Sequence, residues 1–302
     1  MAGEPHLRRH HRPSHGRILV RRSVAVVAVG VAVGVGVWAV LAALPHVKHD
    51  LAPQTTAALP PPPKPFRVVF PEGFTRAQMA DRVQAVAKIA EHKSGKPVRL
   101  SRVTYAAASR TGTVACFTPK KRTNLEGFLF PATYDFLKAT TSKQLVAAQL
   151  TAFCANWHTV SLAYARSKNL TPYDVLTIAS MVEKEAVAPA ERPLVAAVIY
   201  NRLHLRMPLQ IDATLRYGLH IPPTRSITES ELASTSPYNT RHTQGLPPTP
   251  IANPGLASIR AAAHPAKVDY LYYVRKPDKI HHFFTASATA FQQYECSHGY
   301  GC

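Results

Sequence analysis

The stretch "TPYDVLTIASMVEKEA", residues 171–186, decides how this chain is read. Thr171 suits a helix N-cap, Pro172 the first helical position and Asp174 the place that completes a capping box. On a helical wheel Val175, Ile178, Ala179, Val182 and Ala186 form one apolar stripe, as expected of a helix laid against a core. Glu183 and Glu185 fall about 200° apart, on opposite shoulders of that stripe. Only one of them can face a given cleft. The wheel leaves open which, and a shoulder glutamate is by default solvated or paired, here with Lys184 or Arg192.

Downstream of this helix, Pro189 opens another, with Leu194, Val198, Asn201 and Leu205 at helical spacing. Glu191 suits its first turn by complementing the helix dipole. Beyond it the sequence reads as loop-rich until "DYLYYV" (269–274) gives a strand and "HHFFTAS" (281–287) a second. Upstream, residues 141–166 read as mostly helical and "NLEGFLFPATYDF" (124–136) as a strand or extended loop. Phe66 to Phe70 read as a strand and Pro71 to Gly73 as a turn. Thr75 with Gln78 forms a capping box that opens a helix with Met79, Val83 and Val86 on one face. The class is α+β: a small α/β module over 66–118 and a larger mixed domain over 119–295.

The chain has 302 residues and a formal charge of +19. Six arginines against Glu4 alone give residues 1–22 a net +5, leaving +14 on the rest. Residues 23–44, "SVAVVAVGVAVGVGVWAVLAAL", contain no charge. As a helix this run is about 33 Å long, enough to cross a hydrocarbon core of about 30 Å. Many arginines before it and only Lys48 close after it predict a cytoplasmic N-terminus and an exported remainder. A cleaved signal peptide is the competing reading, but its apolar core is usually only about 7 to 15 residues, and no clean A-x-A site follows here. Residues 45–65 end in a proline cluster and read as a semi-stiff spacer. The basic exterior favours anionic polymers and lipid headgroups. A nucleic-acid partner would need a cytoplasmic domain, which this topology argues against.

Export changes the meaning of Cys116, Cys154, Cys296 and Cys302. They lack zinc-site spacing, and an even number outside the cytosol suits disulfides, although free thiols stay open. Three pairings are open; one of them, Cys296 with Cys302, would close the tail 296–302. His10 with His11 and His281 with His282 adjoin without any metal-binding pattern and read as surface residues, so no metal or cofactor is implied.

Elimination thins the acidic residues. Asp174 is a cap partner, Thr228 with Glu231 makes another capping box, Asp278 follows Pro277 in a turn, and Asp269 and Glu295 adjoin strand or tail boundaries. Glu126, Glu183, Glu185 and Asp212 remain. Asn201, Gln210, Asp212, Thr214, Tyr238, Asn239 and Thr240 lie in or beside Pro/Gly-punctuated segments. Such amides, hydroxyls and a ring suit a sugar polymer, which offers hydroxyls to bond and ring faces to stack. The bland alternative is that they satisfy loop backbone.

At this point "LEGFLFPATY", "ASMVEKEA", "YNRL", "MPLQIDAT", "SPYNT" and "GLPPTPIANPGLASIRAAAHPAKVDYLYYV" together resemble the YceG-like family of endolytic murein transglycosylases (MltG). The resemblance runs in order from Phe66 to Phe291. It implies that the second glutamate of E-K-E, Glu185, is the catalytic acid; the polar residues just named are then the candidates for binding the glycan strand, with Asp212 in a structural or binding role. It also implies a LysM-like small module, a plasma-membrane enzyme facing the wall, peptidoglycan as substrate and, by analogy, peptidoglycan synthases as partners. Ala132, Ile211 and Ala213 depart from the family pattern, whereas Gln210, Asp212 and Thr214 keep it. A catalytically silent wall-binding protein of the same fold is the alternative, with those departures as its support.

Overall fold

The computed structural model describes residues 34, 36–40, 42, 63–122 and 124–300. The chain divides into two compact units, Met1–Pro61 and Pro62–Cys302. In the first, the described positions are helical and solvent-facing, with Trp38 73% exposed. Among the described residues no helix is long and apolar enough to cross a membrane, and most of the expected span 23–44 lies outside them. Cys302 and the closure expected with Cys296 also lie outside the described residues.

The second unit begins with strand β1 (Phe66–Val69) and the long helix α1 (Arg76–Ser94), opened by the Thr75/Gln78 capping box and ended by Gly95 in the left-handed region. Helix α2 (Arg102–Ala108) packs on α1, and the short strands β2 (Gly112–Thr113) and β3 (Lys121–Arg122) pair antiparallel. Strand β4 (Thr133–Phe136) then returns to β1, with Phe66 opposite Phe136 and Val69 opposite Thr133. This pairing crosses the boundary expected near residue 118. The strand that opens the small module hydrogen-bonds to the segment that opens the larger domain, and one continuous core serves both.

Helix α3 (Ser142–Trp157) and the short α4 (Ala163–Ser167) lead into α5 (Pro172–Glu185). The Thr171/Asp174 capping box forms as the sequence requires. Helix α5 is more deeply enclosed than its stripe suggested: every residue from Val175 to Val182 is buried, because α6 (Arg192–His204) and α9 (Leu256–Ala263) pack against it. Ser180 is tolerated there because its hydroxyl donates to Thr177 O and accepts from Ile251 N at 3.0 Å. Phe117, Phe128, Phe153 and Trp157 form an aromatic cluster beside it, with the Arg122 guanidinium over the Phe117, Phe128 and Tyr173 rings. A Cys116–Cys154 disulfide joins the loop between β2 and β3 to α3.

Two local readings change. Pro189–Glu191 is a 3-10 turn, so α6 starts at Arg192. The region read as loop contains α7 (Asp212–Gly218), α8 (Glu229–Leu232) and α9. These helices are short, and α9 is buried along its Ser258, Ile259, Ala261, Ala262 and Ala263 positions, so packing rather than local pattern stabilises it. The expected terminal strands are β5 (Tyr272–Arg275) and β6 (His282–Thr285), an antiparallel hairpin on which α10 (Ala288–Ser297) rests.

Candidate active site

A cleft of about 1350 Å³ runs between the end of α5, the start of α1, helix α7 and the β5–β6 hairpin. Glu185, the last residue of α5, lies in its wall. Its Oε2 accepts a hydrogen bond from the Tyr273 hydroxyl at 3.2 Å, and its backbone carbonyl accepts from Arg275 Nη2 at 3.3 Å. The arginine thus caps the negative end of the helix that carries the glutamate. Crowding by protein raises the Glu185 pKa above the usual carboxylate value; the Tyr273 bond and then Arg275 oppose this, and Asp212 adds to it. Burial, followed by the neighbouring Glu185, holds the Tyr273 phenol well above its ordinary value, so it stays a donor.

Glu183 turns the other way. Its Oε2 accepts from Gly255 N at 3.0 Å and its Oε1 stands 3.9 Å from Arg192 Nη2, with the two side chains only 7% and 14% exposed. It fastens the N-terminus of α9 to α5. The two shoulders of the wheel therefore carry two jobs, one structural and one open to the cleft.

Of the other residues expected at a site, Gln210, Asp212 and Tyr238 line the cleft. Gln210 is held with φ at +56° by its N–H on Thr240 O and by Arg202 Nη1 on its Oε1. Asp212 pairs with Arg241, whose Nη2 lies 2.6 Å away. Tyr238 packs on Tyr217 and shares a hydrogen bond with Thr249. Thr214, Asn239 and Thr240 are fully buried and do not line the cleft. They hold together the segments that carry the lining residues: the Thr240 hydroxyl receives Ile211 N and pairs with the Thr214 hydroxyl, while Asn239 Nδ2 donates to Leu232 O and Ser234 O. Asn201 lines a separate pocket and donates to Val268 O and Tyr270 O, which fixes the approach to β5.

Glu126 also reaches the cleft but is 3% exposed and spent on structure. Its carboxylate takes Arg76 N, Asn253 Nδ2 and the Tyr217 hydroxyl. Burial outweighs these donors and lifts its pKa to about 7. Asn253, buried completely, also receives Gly127 N and Leu129 N on its Oδ1, each at 2.9 Å. One asparagine and one glutamate thereby knot three distant segments beneath the cleft.

Sequence reasoning missed Tyr273, Arg275, His282 and Arg202. The hairpin register sets Tyr273 opposite Phe284 and Arg275 opposite His282, so these four residues share one face of the hairpin, while Arg202 comes from α6. Neither "YYVR" nor "HFFT" alternates in polarity, so the docked hairpin alone shows which of its faces meets the cleft. His282 is not a surface residue: it is 5% exposed, and Glu191, assigned above to a helix dipole, is buried against it. Arg202 is buried too, with its guanidinium on the carbonyls of Leu271, Pro208 and Leu209, and burial lowers its pKa.

The YceG-like family matches residues 47–295. This chain belongs to that family. A Bacillus subtilis (strain 168) relative named endolytic murein transglycosylase is 40% identical over 152 residues, 50% of this chain and 42% of that protein. A Streptococcus pneumoniae (strain R6) relative of the same name is 36% identical over 222 residues, 68% of this chain and 40% of that protein. The chain thus spans less than half the length of these curated relatives. The crystal structure of a YceG-like protein from Listeria monocytogenes superposes with a TM-score of 0.62 at 29% identity, covering 77% of this chain and 76% of that one. The cleft and the hairpin described above fall within the part of the chain that the family matches.

Proposed function

We propose that this chain is an endolytic peptidoglycan lytic transglycosylase that cuts the MurNAc–GlcNAc bond of glycan strands and leaves 1,6-anhydroMurNAc ends. One observation carries the reading. Of the four carboxylates singled out by elimination, Glu185 alone is at the cleft without being tied to a cation or surrounded by structural donors. Hydrolysis ordinarily needs two carboxylates, one as acid and one as base or nucleophile. A single carboxyl suffices when the substrate's own C6 hydroxyl replaces water.

In this mechanism Glu185 begins protonated, which its raised pKa favours. It gives its proton to the oxygen leaving MurNAc C1 as that C–O bond breaks and an oxocarbenium-like state develops. The resulting carboxylate takes the proton of the C6 hydroxyl while that oxygen closes on C1, so no water is consumed and the acid is restored. Tyr273 occupies Oε2, which leaves Oε1 for the travelling proton. Burial supports the acid before transfer, and the Tyr273 bond supports the carboxylate after it. Gln210, Asp212 and Tyr238 are the strand-contacting residues in this reading, with Thr214, Asn239 and Thr240 shaping their loops and Asn201 the β5 approach.

The same reading has residues 23–44 anchoring the chain in the plasma membrane, with its larger unit outside, acting on nascent strands beside peptidoglycan synthases. Support comes from the arginine-rich arm, the uncharged run, the exposed apolar positions around Trp38 and a disulfide suited to an oxidising compartment. The names of the relatives support the chemistry.

The test is product analysis. Purified protein incubated with peptidoglycan in ¹⁸O-water is expected to give unlabelled anhydro ends, with none from Glu185→Gln. Reducing ends carrying ¹⁸O would instead mean hydrolysis and make Asp212 the second carboxylate.

A further inference from the structure

His282 opens β6 in a place that the mechanism above does not use. Its side chain is 2% exposed, yet it contributes to the cleft wall. A single carboxylate holds it twice: its backbone N–H donates to Glu191 Oε1 at 3.0 Å, and its Nδ1 lies 2.7 Å from Glu191 Oε2. Glu191 belongs to the 3-10 turn that follows the end of α5. On the other side, the imidazole stands at 90° to the Tyr273 ring with centroids 5.4 Å apart, and Phe284 flanks both rings. Tyr273 in turn reaches Glu185. A circuit results: from Glu185 through Tyr273 and His282 to Glu191, and back along the chain.

A buried carboxylate–imidazole pair is an expensive way to staple a hairpin, since desolvation of the two groups offsets much of their attraction and apolar side chains could pack there instead. What the carboxylate adds is orientation. With Nδ1–H committed to Glu191, the imidazole has one tautomer and one ring plane. The ring packed perpendicular to it then has its own plane set, and with it the direction of the Tyr273 O–H.

We propose that Glu191 and His282 form a positioning pair for strand cleavage, holding Tyr273 so that its hydroxyl stays on Glu185 while a glycan strand fills the cleft. This rests on the reading of Glu185 as proton donor. The titratable groups that face the pair are Tyr273, whose ring meets the imidazole, and Arg275, which stands opposite His282 in the hairpin. Neither His282 nor Glu191 exchanges a proton with substrate; they act through Tyr273.

The experiment compares wild type, Glu185→Gln and His282→Asn on purified glycan strands, with kcat and KM determined separately. The asparagine amide sits where Nδ1–H was and can still donate to Glu191, but it presents no ring to Tyr273. We expect a folded His282→Asn protein with KM within about twofold of wild type and kcat lower by about 3- to 10-fold, no more than removal of the Tyr273 hydroxyl itself costs. A kcat within about twofold of wild type would show a staple only and overturn the proposal. Should that variant not fold, His282→Phe reads the same question, because it keeps a ring against Tyr273 without the Nδ1 bond; wild-type kcat there overturns the proposal equally. A wild type that cuts nothing sinks the reading of Glu185 and the pair with it. A cutting wild type, a dead Glu185→Gln and a fully active His282→Asn sink the pair alone.

Discussion

Tyr273 and Glu185, 88 positions apart in the chain, meet through a 3.2 Å hydrogen bond in the cleft wall. The bond opposes the upward push of burial on the glutamate. Glu185 must be protonated to act, so activity falls as pH rises through its pKa. Tyr273→Phe removes the bond, lets that pKa rise further and moves the alkaline limb of the kcat/KM profile to higher pH. The loss of orientation lowers kcat at the optimum by about tenfold. A pH-rate series on wild type and variant checks both.

The two glutamates of E-K-E separate into chemistry and stability. Glu185→Gln abolishes cutting and leaves the melting temperature equal or higher at pH 7.5, because a poorly solvated carboxyl is removed. Glu183→Gln keeps cutting in the folded fraction but costs about 1–3 kcal/mol through the lost partner of Arg192. Denaturant melts beside cleavage assays separate the two.

Glu126 makes stability fall with pH. Below about 4.5 it is protonated whether folded or unfolded. Between there and its folded value of about 7 only the folded chain holds the proton, and above that both forms are ionised. Its contribution is therefore full at the acid end and is lost as pH rises through about 7. Glu126→Gln flattens that slope, so the difference in stability between variant and wild type changes across the window in the variant's favour. Denaturant titrations at pH 5 and pH 8 measure it.

The Cys116–Cys154 disulfide spans a sequence separation of 38. In the chain-entropy view a loop of that size contributes about 3–4 kcal/mol by restricting the unfolded chain. A double Cys116→Ala, Cys154→Ala variant is expected to lose about that much, while strand cleavage persists below its melting point because the bridge does not line the cleft. Urea denaturation of the oxidised wild type beside that variant measures the difference.

The long helices were legible because their signals are local. Thr75/Gln78 and Thr171/Asp174 each close a capping box using residues three apart, and no tertiary partner is needed to form it. Helices α7 and α9 were not legible, since seven or eight residues hold a helix only when buried against neighbours. The expected boundary near residue 118 rested on a change of composition, whereas the pairing of β1 with β4 depends on contacts between residues 64 to 70 positions apart.

Periodicity alone established that Glu183 and Glu185 face different surroundings, because the helical repeat fixes their angle whatever else the chain does. Which faces the cleft was decided by what folds back onto each shoulder: Gly255 and Arg192 on one, Tyr273 and Arg275 on the other. Single-residue reasoning gave Glu191 to a helix dipole and His282 to the surface. Burial turned the two into one pair, because an acid and an imidazole far apart in the chain become partners only when the hairpin docks and excludes the water that would otherwise solvate them.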